Sequence, residues 1–230
     1  MEQKIKNLGF GFFVLALYIL VIPMIYGTVF ERFLNHENAF IANLTYLGVY
    51  IIIAFVLIFI FRKSLKEEWL RFWKYRKGYT ILSAKYFVYG YVLMIVLNII
   101  IVSIQGSAAN NEELNREMLM AAPIFTAIST IIFAPIIEEL AFRKSFKKLF
   151  ANKYFFALFT GFLFGLAHVS SVDFSNFLET WTELLYIISY GSIGFVLGCL
   201  YYETDNIFTS ILAHVFHNAF TIIILFIALF

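Results

Sequence analysis

The chain has 230 residues, 62% hydrophobic and 20% aromatic but only 14% charged, with a net charge of +2. Soluble globular domains are about half apolar and about a quarter charged, so this composition excludes a soluble domain and predicts an all-α, polytopic transmembrane bundle. The single cysteine, Cys199, excludes an internal disulfide framework and a multi-cysteine metal site. Nucleic acid is not among the expected partners, whereas membrane lipid is.

Apolar runs of about 20 residues, the length that crosses a bilayer as a helix, predict seven spans: 8–30, 40–61, 80–104, 120–149, 154–172, 181–202 and 207–230. The first run is too long for a signal-peptide core and lacks a small-residue cleavage site, which predicts a retained span. Lys4, Lys6, the basic residues between Arg62 and Lys85, and those between Arg143 and Lys153 fall on one side. Only Arg32 and Arg116 fall on the other. Cytoplasmic loops carry the excess of Lys and Arg, so the amino terminus is expected in the cytoplasm and the carboxyl terminus outside.

Between the second and third spans, residues 63–77 interleave Trp69, Phe72, Trp73 and Tyr75 with basic residues. That pattern predicts a short amphipathic helix on the cytoplasmic surface, with a topogenic and anchoring role. Residues 105–117 read as a polar, acidic outer loop. Gly161 with Gly165 and Gly194 with Gly198 form two small-x-x-x-small pairs, which predict close helix packing. The economical division is residues 1–119 as amino-terminal accessory spans with a cytoplasmic linker, and 120–230 as a four-helix catalytic core.

Two adjacent carboxylates and an arginine interrupt the fourth apolar run at Glu138, Glu139 and Arg143. Ionisable groups at membrane depth are costly and mark function by default. Glu139 and Arg143 stand four apart with the acid first, the favoured orientation for a helical ion pair. Glu138 points about 100° away, which leaves it to face a cavity as a general base. His168 sits alone among apolar residues on the fifth span. His214 and Asn218 share a face of the last span, with His217 rotated off it and read as structural. At about 1.5 Å per residue, Glu138, His168 and His214 lie roughly 17, 21 and 12 Å from their cytoplasmic helix ends, within one layer. This requires the fourth helix to continue through Arg143 to about residue 149, with Lys144, Lys147 and Lys148 snorkelling to the surface.

A carboxylate base, two imidazoles and a carboxamide around one point suffice for hydrolysis by water. Glu138 would take the proton, His168 would hold or polarise the water, and His214 with Asn218 would stabilise the oxyanion. The same groups offer a zinc site of Glu138, His168 and His214 with an open position. Metal-dependent and metal-free readings stay open here. Serine and cysteine catalysis fit poorly, because Gly-x-Ser-x-Gly is missing and Cys199 has no nearby base in sequence. A transporter or proton relay would call for internal repeats or paired broken helices, which the sequence lacks. A haem site would leave both glutamates unexplained.

Glu-Glu-x-x-x-Arg (Glu138, Glu139, Arg143), Phe-x-x-x-His (Phe164, His168) and His-x-x-x-Asn (His214, Asn218) follow one another on successive spans. Together they resemble the three motifs of the CPBP family of intramembrane proteases, also called the Abi or CAAX-protease family. The resemblance covers about residues 120–230, with no departure at the motif positions. It implies an endopeptidase opening toward the cytoplasm of a bacterial plasma membrane and acting on a hydrophobic or lipidated peptide or protein. Glu138, His168, His214 and Asn218 would be catalytic, with Glu139 and Arg143 in support. The family has been described both as zinc-dependent and as glutamate-dependent. A relative that binds a peptide without cutting it, as a scaffold or immunity protein, is the alternative.

Overall fold

A computed structural model describes residues 2–21, 39–169 and 180–229, and every element among them is helical. In chain order they are α1 (Glu2–Ala16, continued by a π-helical turn Leu17–Val21), α2 (Ala39–Lys74), α3 (Arg76–Gln105) and α4 (Asn110–Ala121). Then follow α5 (Pro123–Leu149), α6 (Lys153–Ala167), α7 (Trp181–Thr204) and α8 (Ile207–Leu229). Among the described residues, α2, α3, α5, α7 and α8 are long and apolar enough to cross a membrane. Large apolar side chains such as Ile52, Phe55, Ile99, Phe155 and Ile227 cover the outside. In water they would be a liability; against lipid they are the solvated surface.

Local chemistry sets the helix ends. Gly106 closes α3 in the left-handed conformation (φ 82°), its N–H donating to Val102 O at 2.7 Å, an end that favours glycine. Pro123 opens α5, where its missing N–H costs nothing. Asn152 caps α6, accepting from the backbone N–H groups of Tyr154 (2.8 Å) and Phe155 (3.2 Å).

The tightest packing joins α6 to α7, through the glycines singled out in sequence. A Cβ at Gly161 would lie 2.7 Å from Gly191 O, and one at Gly194 would lie 2.9 Å from Gly161 Cα. One at Gly165 would run into the Ile187 carbonyl oxygen and lie 2.9 Å from Gly191 N. Side chains at these positions would force the backbones apart, the reason small residues mark such interfaces. On its other face α7 meets α3, with Gly90 against Ile193 and Val196.

Several sequence expectations are corrected. Residues 63–77 do not form a separate surface helix: α2 runs unbroken to Lys74, and the chain turns at Tyr75. No glycine or proline lies between Phe61 and Tyr75 to end the helix, and its last turns are held by α8. Trp69 and Phe72 pack on Phe208 at ring distances of 5.0 and 6.2 Å. The buried Glu68 carboxylate accepts from Lys144 Nζ and, at 2.7 Å, from the N–H of Ile207 at the start of α8, where the helix dipole favours an anion. Lys144 is therefore paired and buried rather than snorkelling. The expected outer loop contains α4, whose first turn carries Glu112 and Glu113, with Arg116 Nη2 2.9 Å from Glu112 Oε1. The fifth span is shorter than expected, since α6 ends at Ala167 and His168 follows it. The later part of the expected first span and the stretch after Val169 lie outside the described residues.

Gly165→Val is expected to lower stability by at least the about 1–3 kcal/mol typical of overpacking, read as a reduced Tm in detergent. Ile188→Val, at an exposed site on α7, should leave Tm unchanged.

Candidate active site

The carboxylates sit on the least regular helix. Within α5 two π-helical segments, Ser129–Phe133 and Glu139–Lys144, flank the α-helical turn Ala134–Glu138. Pro135 explains the first, because its ring clashes with the carbonyl four residues earlier and it has no N–H to give. The Ala134 N–H reaches back to Ser129 O, and in that register the next carbonyl, Thr130 O, would bond residue 135. Proline leaves it without a partner, and Asn218 Nδ2 supplies one from α8 at 2.8 Å. In the second segment Ser145 N–H reaches Leu140 O at 3.2 Å. Wide turns of this kind recur at functional sites. The helix thus continues past Arg143, as the depth of the site requires.

Glu139 and Arg143 are both fully buried, with Arg143 Nη1 2.9 Å from Glu139 Oε1. Arg143 Nη2 donates to Gly194 O at 3.2 Å, and the guanidinium lies over the Phe164 ring, 4.5 Å from its centroid. Glu139 is also bound from α8: Ser210 Oγ donates to Oε2, and His214 Nδ1 lies 3.0 Å from Oε1. A carboxylate only accepts, so Nδ1 carries the hydrogen and His214 Nε2 is the open nitrogen.

Glu138 projects from the neighbouring position into the same cluster. Tyr18 Oη donates to its Oε1 at 2.9 Å, and its Oε2 lies 3.6 Å from His214 Nε2. That distance is too long for a direct hydrogen bond and leaves both atoms able to contact a third group. His168, just past the end of α6, donates from Nδ1 to Phe164 O at 2.8 Å, which leaves Nε2 open. Its ring stacks on Tyr190 (5.0 Å) and lies tilted against Phe164 (4.3 Å), and the Phe164 ring also meets His214 (5.7 Å).

The fold therefore gathers Glu138, Glu139, Arg143 and His214 directly, and brings His168 to the same cluster across Phe164. Asn218 is held on Thr130, roughly 12 Å along α5 from Glu138 at 1.5 Å per residue. His217 packs on Tyr91 at 5.4 Å. Among the described residues no three His, Cys, Asp or Glu side chains are gathered as metal ligands, so the set Glu138, His168 and His214 does not form a zinc cage in this arrangement.

Sequence reasoning missed Ser210, Thr130, Tyr190 and Tyr18. Ser210 had a signal, standing four residues before His214 on the same helix face. Tyr18 also had one, as the only polar side chain between Phe10 and Val21. Thr130 acts through its carbonyl, on which side-chain chemistry is silent.

These features define a class: an all-α, multi-pass membrane protein with carboxylates, imidazole and guanidinium buried together inside its helices. Residues 120–220 match the family described as Type II CAAX prenyl endopeptidase Rce1-like. Over that segment the chain is similar to the CPBP, or CAAX-protease, family. It is also similar to the Bacillus subtilis (strain 168) protein named "Putative membrane peptidase YdiL", 29% identical over 121 residues. That match spans 51% of this chain and 44% of the relative, less than half of the relative's length. No solved structure matches the chain.

Arg143→Leu would leave the Glu139 charge buried without its cation, and loss of one partner of a buried pair costs about 3–5 kcal/mol. A marked loss of folded protein in detergent is the expected outcome, measured by size-exclusion chromatography and Tm. Asn218→Ala is expected to cost about 1–3 kcal/mol by stranding the Thr130 carbonyl. In a Pro135→Ala background, where residue 135 regains an N–H, that cost should shrink, and a double-mutant cycle on Tm measures the difference.

Proposed function

We propose that this chain is an intramembrane endopeptidase in which Glu138 activates water for attack on a peptide bond. The observation that carries the reading is the pair Glu138 Oε2 and His214 Nε2, 3.6 Å apart and both able to accept. A water between them donates one hydrogen to each and turns a lone pair outward. Attack forms the C–O bond while Glu138 takes a proton. Glu138 then returns that proton to the amide nitrogen as the C–N bond breaks, leaving a carboxylic acid and an amine.

Glu139 orients His214, since its Oε1 holds the Nδ1–H, and Arg143 neutralises Glu139. His168 presents its open Nε2 and, when protonated, serves the oxygen that gains charge at the substrate carbonyl. Asn218 acts through register rather than at the reacting atoms, keeping α8 on α5 so that His214 meets both carboxylates. Zinc on Glu138, His168 and His214 would need these side chains to regroup, and no step here runs through it.

The substrate is a hydrophobic or lipidated peptide or protein segment presented from the membrane, as the similarity to prenyl endopeptidases and to a membrane peptidase suggests. A bacterial plasma membrane is the proposed setting, with the amino terminus cytoplasmic according to the Lys and Arg distribution. Purified protein with a quenched hydrophobic reporter peptide tests the reading. Glu138→Gln is expected to lower turnover about 10²–10⁴-fold, the usual contribution of a positioned general base, while a strong zinc chelator leaves the parent unchanged. Loss of activity under chelation, restored by zinc, would transfer the reaction to a metal. Equal turnover by Glu138→Gln and parent would remove Glu138 from the chemistry.

A further inference from the structure

We propose that Tyr18, on the amino-terminal helix and outside the segment that matches the family, is a positioning residue for Glu138. The inference rests on the assignment of Glu138 as the base. The two oxygens of Glu138 have different partners: Oε1 accepts from the Tyr18 hydroxyl at 2.9 Å, and Oε2 faces His214 Nε2. A carboxylate on a flexible side chain can rotate its oxygens. A fixed donor on one of them holds the other toward the site, and a hydrogen bond to a charged group is the stronger kind.

The chain builds this contact on one helix face. Gly11, Val14, Leu15 and Tyr18 stand at i, i+3, i+4 and i+7, the spacing that lines a single side of a helix, and that side docks on α5. Gly11 lies against the Phe146 ring, where a Cβ would come within 2.6 Å of Cε1. Val14 and Leu15 are buried, and the Tyr18 ring stands edge-on to Phe142 at 5.3 Å. The glycine permits close approach two turns before the tyrosine, and the buried apolar pair holds the helix against α5. Tyr18 is the only polar side chain from Phe10 to Val21, so its hydroxyl reaches Glu138 from an otherwise apolar segment. The amino-terminal spans, divided from the core on sequence grounds, thereby complete the site.

Tyr18→Phe keeps the ring on Phe142 and removes only the donor. With the reporter peptide, kcat should fall about 10-fold, within the range for a hydrogen bond to a charged group, with KM within about twofold and Tm unchanged. 3-Fluorotyrosine at position 18, which retains the hydroxyl, should restore kcat. A readout independent of turnover is the infrared carboxyl band that disappears in Glu138→Gln; it should shift in Tyr18→Phe and return with 3-fluorotyrosine. An unmoved band in Tyr18→Phe would overturn the contact, and a shifted band with parental kcat would overturn the positioning role. A parent no faster than Glu138→Gln would instead overturn the assignment of Glu138, a different failure that the same preparations distinguish.

Discussion

Arg143 carries a full charge at a depth where water does not reach, and the arrangement of the carboxyl-terminal half depends on how that charge is met. Glu139 supplies the opposite charge one helical turn earlier, the Gly194 carbonyl takes an N–H, and the Phe164 ring lies beneath the guanidinium. These partners come from α5, α7 and α6, so the guanidinium has all of them only when three helices are assembled. A buried pair is weak evidence of net stability, but breaking it is costly, which favours the single arrangement in which all partners meet. Glu139 also binds Ser210 and His214, extending the constraint to α8.

The irregularity of α5 serves the same end. Pro135 denies Thr130 its partner, and Asn218 takes the vacancy from α8. A defect that would weaken a helix in isolation becomes a cross-link between helices, in a medium where an unmatched carbonyl has no water to turn to. The bond fixes the height of α8 on α5, and with it the height of His214 beside Glu138. At the opposite end Glu68 performs a similar service, joining Lys144 of α5 to the start of α8. The site thus lies between two polar clasps.

Close glycine contact brings α6 against α7, and His168 follows directly after the last turn of α6. Its position is therefore set by backbone packing and by the Phe164 carbonyl rather than by a charged partner. The imidazoles differ in consequence: His214 is oriented by a carboxylate, His168 by a peptide oxygen and two flanking rings. In the reaction proposed above, this difference would separate the handling of water from contact with the substrate carbonyl.

Much of this was legible in the residue order. Composition determined an all-α membrane protein, because so apolar a chain can satisfy its backbone in lipid chiefly as helices. The spacing of Glu139 and Arg143 determined their pairing, since four residues make one turn, and the glycine pairs marked the α6–α7 contact. Only the tertiary structure decided the rest. It continued α2 past the basic linker, because α8 offered Glu68, Trp69 and Phe72 partners there. It ended α6 at the histidine and held the Asn218 amide on a backbone carbonyl. It also brought Tyr18 to Glu138 across 120 positions of sequence. Periodicity reports which side of one helix is apolar or polar. Which helix that side meets depends on packing among all of them, and local sequence does not encode that meeting.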